Sequence, residues 1–138
     1  QQLKQERPNA VDRRITTEMR EKFGFQGKGY IHGDDRIQTH YLWDESVLET
    51  VGVCAWGMEV EGPPSYVHGG CIAAVMDEFF GITAFSSIAP QVAVTVNLNI
   101  NYRKFVPLNS VKKIQAKIEK TEGRKIFVKG EIVDPSDG

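Results

Sequence analysis

Residues 70–85 are apolar around nearly the whole circumference of a helix, and their only charged side chains are Asp77 and Glu78. A helix without a polar face is stable only when it is buried, so these residues predict a central helix covered by the rest of the chain. A carboxylate in such surroundings is unfavourable unless it is paired or functional, so we expect one acid to face a cavity. A narrow hydrated side that solvates both acids is the alternative, and the sequence does not decide between Asp77 and Glu78.

A strict alternation of apolar with small or polar residues follows the helix, with the apolar side chains at Val92, Val94, Val96, Leu98 and Ile100. A period of two residues is typical of a β-strand with one face in the core. We therefore expect a long strand here, with its second face polar.

Further strands are predicted on both sides of the helix. Residues 113–119 alternate in the same way, and residues 121–124 resemble a turn into residues 125–133, which predicts an antiparallel hairpin. Residues 37–43 and 47–60 are rich in β-forming side chains and predict an edge strand followed by a longer strand. Together these elements predict an α+β domain in which an antiparallel sheet covers one helix.

The N-terminal part carries a different pattern. Apolar residues at positions 11, 15, 19 and 23 form an i, i+4 stripe, which predicts a short amphipathic helix followed by a glycine-rich loop. We expect residues 1–36 to form this helix and loop, and residues 37–138 to form the α+β domain. A chain of 138 residues is the size of one domain.

The charge and cysteine content exclude several classes of protein. The 17 basic and 18 acidic residues leave a net charge of -1, so no broad basic surface is available for nucleic acid or an anionic membrane. Cys54 and Cys71 match no metal-ligand spacing, which predicts two reduced, buried thiols and no metal site.

No apolar run of spanning length and no secretion signal are apparent. We expect a soluble intracellular protein, in the mitochondrion or the cytoplasm, without stable membrane insertion.

The turn into the central helix reads His68-Gly69-Gly70. Backbone N–H groups at a helix N-terminus lack intrahelical partners, and glycines allow a substrate carbonyl to approach them closely. Such N–H groups can stabilise a developing oxyanion. An ordinary glycine turn before a helix is the alternative.

The glycine turn and Asp77 lie far apart along the predicted helix. Gly69 and Asp77 are separated by about 12 Å along a helix, so one substrate carbonyl cannot contact both within a subunit. If both groups act on one bond, the simplest arrangement is a two-fold dimer in which Gly69 of one chain faces Asp77 of the other.

Two further side chains could take part. His68 could act as a base or cap the turn, and a positioning role is favoured because no nearby acid completes a triad. Thr95 lies on the polar face of the predicted strand and could align a water molecule. Its alternative is a β-branched residue present only for strand propensity.

Four motifs, taken in order, resemble one known family: Glu61-Gly62-Pro63-Pro64, Val67-His68-Gly69-Gly70, Asn97 to Tyr102, and Glu122-Gly123-Arg124-Lys125. With Asp77 inside the apolar helix, they resemble the hot-dog acyl-CoA thioesterases of the phenylacetic-acid-pathway type. The likeness is strongest to the thioesterase-superfamily-member branch that includes the carboxyl-terminal modulator protein, and it covers roughly residues 40 to 134.

The resemblance implies a hot-dog fold, assembled as a homodimer or homotetramer, that hydrolyses medium- to long-chain fatty acyl-CoA without a cofactor. It implies that Asp77 is the general base or nucleophile, that Gly69 polarises the thioester carbonyl, that His68 shapes the turn and that Thr95 positions water. It also implies coenzyme A contacts at the following residues: Gly70, Asn99, Tyr102, Arg103, Lys104, Gly123, Arg124 and Lys125. Cations suit phosphates, although exposed strand-end charges are commonly only solvated.

Family members normally continue past Asp134 into a final strand, so the resemblance also implies a strand beyond this chain. Two rival functions remain at this point: a hot-dog enoyl-CoA hydratase, and a non-catalytic module that senses acyl-CoA or binds a regulatory protein partner such as a kinase.

Overall fold

The computed structural model describes residues 11–14 and 31–135. This part of the chain forms a sheet of five strands, one long helix and a short 3-10 turn at Met58–Val60. The helix α1 is Gly69–Ile88. The strands are β1 Val11–Arg14, β2 Ile37–Asp44, β3 Glu49–Trp56, β4 Ser110–Glu122 and β5 Lys125–Val133.

The described strands follow one another in the sheet in chain order, and each pairs antiparallel with the next. The predicted hairpin is confirmed as β4 and β5. Its turn contains Gly123 at φ 59°, a left-handed backbone that glycine adopts without steric cost. The two strands predicted upstream are confirmed as β2 and β3, although β2 is not an edge strand because β1 pairs with it.

The predicted helix is confirmed and packs along β3, β4 and β5, but the expectation that the chain covers it is not, because only six of its 20 residues are buried. Two glycines let it approach the sheet closely. A Cβ atom at Gly52 would lie 3.0 Å from Phe79 Cζ, and one at Gly130 would lie 2.7 Å from Phe80 Cε1. Any side chain at either glycine would therefore force the helix or the neighbouring strand to shift.

The helix α1 also has the length and apolarity of a membrane span, with 20 residues and a mean hydropathy of 1.5. The expectation that no apolar run is long enough to span a membrane is therefore wrong by length and composition. Asp77 and Glu78 lower the mean hydropathy of the helix too little to change this. The core helix of a water-soluble domain meets the same criterion. The buried residues of α1 belong largely to the core that it shares with the sheet: Ile72, Val75, Met76, Phe79, Thr83 and Ala84.

The helix predicted near the N-terminus is wrong for the residues that can be examined. Val11–Arg14 forms a strand paired with β2 from Val11 opposite Trp43 to Arg14 opposite His40. Otherwise β2 would present unpaired backbone groups on this side, and satisfying them outweighs a weak local helix preference. The remainder of the predicted helix lies outside the described residues.

The strand predicted after Pro90 is also not formed as expected. Residues 92–101 contain no strand pairing, and Val92, Val94 and Val96 are 81%, 81% and 87% exposed. The expectation that this apolar row lies in the core is therefore wrong within one chain. An alternating pattern shows which side chains share a face, but a strand forms only where a neighbouring backbone pairs with it.

Candidate active site

Asp77 lies in the middle of α1, on the side that the segment after the helix crosses. The Thr95 hydroxyl donates a hydrogen bond to Asp77 Oδ1 at 2.5 Å, across 18 positions of sequence. The Asp77 side chain is partly buried and Thr95 is exposed. The two residues predicted to act on water are therefore in direct contact, although the strand expected to present Thr95 is absent.

Glu78, the neighbouring acid, has a different partner. His32 Nε2 lies 2.9 Å from both carboxylate oxygens of Glu78, and the two side chains are only 16% and 24% exposed. His32 is 46 positions away in sequence and was not singled out by any motif. Its contact leaves Asp77 as the acid available for chemistry, because Glu78 is already paired.

The turn into α1 has the geometry of a capped helix N-terminus. Gly70 N–H donates to His68 Nδ1 at 2.9 Å, and His68 O accepts from Cys71 N and Ile72 N at 2.9 and 3.1 Å. His68 is therefore the N-cap residue, and its ring nitrogen is occupied by a backbone amide. Among the described residues, no hydrogen-bond partner is seen for Gly69 N–H, which leaves that amide available to an oxyanion.

Tyr102 lies against the same turn. Its hydroxyl donates to Gly69 O at 2.8 Å, and its ring is 3.6 Å from the position that a Cβ of Gly69 would occupy. A residue expected to contact coenzyme A therefore contacts the helix N-terminus of its own chain.

The confirmed helix keeps the two groups of the predicted mechanism apart. Because Gly69 begins α1 and Asp77 lies eight residues further on, their backbones are separated by about 12 Å. The described part of one chain therefore supplies one group to each of two predicted sites. These groups are the Gly69 amide, which has no partner among the described residues, and the Asp77 carboxylate, which the Thr95 hydroxyl binds.

The cations expected to contact coenzyme A fall into two groups at opposite ends of the sheet. The pKa of Asp134 is lowered mainly by its hydrogen bond with Lys112, near the start of β4, and further by the charge of Lys104. Lys104 therefore also lies near the start of β4. Gly123 follows the other end of β4, which is about 40 Å away at the usual rise per residue. One ligand cannot contact both groups in a single chain, so the structure does not bring the predicted coenzyme A residues together.

Asn99, Arg103, Arg124 and Lys125 are exposed. Arg103 follows Tyr102 in sequence, whereas Arg124 and Lys125 belong to the distant hairpin end. Asn99 lies between Thr95 and Tyr102 on the unpaired segment.

Both cysteines are free. Burial raises the pKa of the Cys54 thiol to about 12, partly offset by a hydrogen bond from Thr39, and burial also raises the pKa of Cys71. Both thiols are therefore protonated near neutral pH and are poor nucleophiles. Within the described ranges, no group of three or more His, Cys, Asp or Glu residues could hold a metal ion.

Comparison with known proteins identifies the family and the fold. Residues 65–138 match the Thioesterase superfamily. A crystal structure of a thioesterase superfamily protein superimposes with a TM-score of 0.64 over 73% of this chain and 51% of that chain, at 23% identity. This likeness shows the fold, which is the hot-dog fold.

Curated relatives are similar at higher identity. Mouse acyl-coenzyme A thioesterase THEM4 is 44% identical over 57% of this chain and 33% of its own length. The Xenopus laevis THEM4 protein is 40% identical over 75% of this chain and 46% of its own. Human acyl-coenzyme A thioesterase THEM5 is 38% identical over 52% of this chain and 28% of its own. The chain thus spans between about a quarter and a half of these relatives' lengths, and it belongs to the thioesterase superfamily.

Proposed function

We propose that this chain hydrolyses acyl-coenzyme A thioesters, of medium to long fatty chain, to the free acid and coenzyme A. The observation that carries the proposal is the Asp77 carboxylate on a core helix, in contact with the Thr95 hydroxyl at 2.5 Å. The relatives named as acyl-coenzyme A thioesterases support it. No cofactor is needed beyond the coenzyme A of the substrate.

In the proposed reaction, Gly69 N–H hydrogen-bonds the thioester oxygen and stabilises the negative charge that develops there. Asp77 accepts a proton from a water molecule held by Thr95, and the resulting hydroxide adds to the carbonyl carbon. The carbon–sulfur bond then breaks, and the thiolate takes the proton from Asp77. The products are a carboxylic acid and the free thiol.

A second route uses the same groups. Asp77 attacks the carbonyl carbon directly and expels the thiolate, which leaves a mixed anhydride that water opens. A single turnover in ¹⁸O-labelled water identifies the second route where water attacks the Asp77 carbonyl of the anhydride. With a general base, the label appears only in the product acid, whereas attack of water on the Asp77 carbonyl of an anhydride transfers label to Asp77.

We further propose that the active form is a two-fold dimer, or a tetramer of two such dimers. Gly69 of one chain would face Asp77 of the other. The two groups would then meet across the interface, although they are about 12 Å apart within one chain. The unpaired segment at residues 92–100 supports this proposal, because its exposed apolar row, Val92, Val94 and Val96, leaves backbone and side chains available to a second copy.

The spacing from the histidine–glycine turn to Asp77 supports assignment to the phenylacetic-acid-pathway type. We propose that Arg103 and Lys104 of one subunit, and Arg124 and Lys125 of the other, meet the phosphates of coenzyme A, since no ligand spans both groups within a chain. An intracellular location, in the mitochondrion or the cytoplasm and without membrane insertion, fits a substrate made inside the cell.

Thiol release from acyl-coenzyme A substrates of graded chain length tests the proposed function. We expect release to rise with chain length into the medium and long range, and sedimentation to show a dimer or tetramer at the assay concentration. Loss of enoyl absorbance without thiol release would identify a hydratase. Tight acyl-coenzyme A binding with neither signal would identify a binding module, and either result would contradict the proposal.

A further inference from the structure

The peptide group between Gly69 and Gly70 is held at both of its polar atoms by side chains. Tyr102 Oη–H donates to Gly69 O at 2.8 Å, and Gly70 N–H donates to His68 Nδ1 at 2.9 Å. A peptide group is planar, so two hydrogen bonds at its opposite ends restrict its rotation.

The preceding peptide group is held as well. Its carbonyl oxygen, His68 O, accepts from Cys71 N at 2.9 Å and from Ile72 N at 3.1 Å. The Gly69 Cα therefore lies between two restrained peptide planes. The amide that has no partner among the described residues, Gly69 N–H, belongs to the first of these planes.

The need for such restraint follows from the residue type. Glycine lets a substrate approach the backbone but leaves φ and ψ freer than any other residue does. A mobile donor would have to be ordered during the reaction, which would reduce its effect on the transition state. The Tyr102 hydroxyl supplies an external restraint that the glycine cannot supply for itself.

Tyr102 is not placed there by the core. The residue is 56% exposed, and its ring comes no closer than 3.6 Å to the position that a Cβ of Gly69 would occupy. Tyr102 belongs to the same unpaired segment as Thr95, which contacts Asp77. One stretch of chain therefore touches both the oxyanion turn and the carboxylate of its own subunit.

We propose that Tyr102 is a positioning residue that orients the Gly69 amide through its hydrogen bond to Gly69 O, and that it does not bind coenzyme A. This inference rests on the proposed thioester hydrolysis. It predicts an effect on kcat rather than on KM, because the hydroxyl acts on a donor that matters most when charge develops on the thioester oxygen.

The test is Tyr102→Phe, which removes the hydroxyl and keeps the ring. We expect kcat for thiol release to fall about tenfold, while KM stays within about twofold, since misplacement of a catalytic group reduces turnover. Tyr66→Phe is the matched control, because Tyr66 is also an exposed tyrosine, whose ring centroid lies 4.8 Å from that of Phe105. It should leave both constants unchanged.

A second measurement does not depend on turnover. Amide hydrogen exchange at Gly70, whose N–H shares the peptide group of Gly69 O and donates to His68 Nδ1, should be faster in Tyr102→Phe than in the parent and unchanged in Tyr66→Phe, as followed by NMR in the full chain. Unchanged exchange would overturn the proposal, even if the parent released no thiol. A rise in KM with unchanged kcat would also overturn it and would return Tyr102 to substrate binding.

Discussion

His32 Nε2 lies 2.9 Å from both carboxylate oxygens of Glu78, and this contact distinguishes two acids that are adjacent in sequence. Consecutive residues of a helix point about 100° apart, so Asp77 and Glu78 meet different surroundings. Glu78 is paired with an imidazole in a partly buried position, whereas Asp77 is bound by a hydroxyl that a water molecule could share. The acid bound by a hydroxyl is the one suited to proton transfer.

Replacing Asp77 with Asn should reduce thiol release by at least about a thousandfold, because the amide neither accepts a proton nor attacks the carbonyl. Glu78→Gln is the matched control. Its amide can still hydrogen-bond His32, so we expect turnover within about threefold of the parent and a loss of about 1 kcal/mol in the free energy of unfolding. Equal activity losses in the two variants would contradict the assignment of Asp77.

Thr95→Val keeps the shape of the side chain but removes the hydroxyl that contacts Asp77 at 2.5 Å. We expect kcat to fall by about ten- to a hundredfold, as for loss of a group that orients the reacting water. Thr95→Ser keeps the hydroxyl and should retain most of the activity. Steady-state thiol release measures both variants, and a valine variant as active as the serine variant would exclude this role for Thr95.

Gly52→Ala should destabilise the fold. The added Cβ would lie 2.5 Å from His40 O and 3.0 Å from Phe79 Cζ, so the helix or the sheet must shift, at a cost of about 1–3 kcal/mol. Gly81→Ala adds the same methyl group where nothing lies within 4 Å. It should stabilise the helix by about 0.5–1 kcal/mol, and urea unfolding of both variants would show opposite shifts.

The Cys54 thiol makes stability depend on alkaline pH. Its pKa is raised from 9.0 to about 12 in the folded chain, so the unfolded state loses this proton first as pH rises. The contribution is complete below pH 9 and is lost between pH 9 and 12. We expect the free energy of unfolding to fall by about 1 kcal/mol more between pH 8 and 10 in the parent than in Cys54→Ala. Equal slopes would contradict a buried, protonated thiol.

The periodic segments show how far local pattern predicts structure. The hairpin of β4 and β5 was predicted because its turn and both its strands are adjacent in sequence. The alternation at residues 92–100 identified side chains that share a face, but not the side chains' surroundings. Val94 is 81% exposed because no strand of residues 11–14 or 31–135 pairs with this segment.

At the N-terminal residues the local pattern predicted the wrong type of element. The stripe that includes Val11 predicted a helix, and Val11–Arg14 instead pairs with β2. Pairing to a strand edge satisfies backbone N–H and C=O groups whatever the periodicity of the side chains. A short segment beside an open edge can therefore form a strand even where its side-chain pattern favours a helix.

The amino-acid sequence by itself determined a long apolar helix that carries two acids, a glycine turn before it and a hairpin after it, because these depend on residues near one another in the chain. Only the tertiary structure decided that His32 pairs with Glu78 and Thr95 with Asp77. It also separated the two groups of cations at opposite ends of the sheet. These relationships join residues from different elements, and their partners are selected by packing rather than by spacing along the chain.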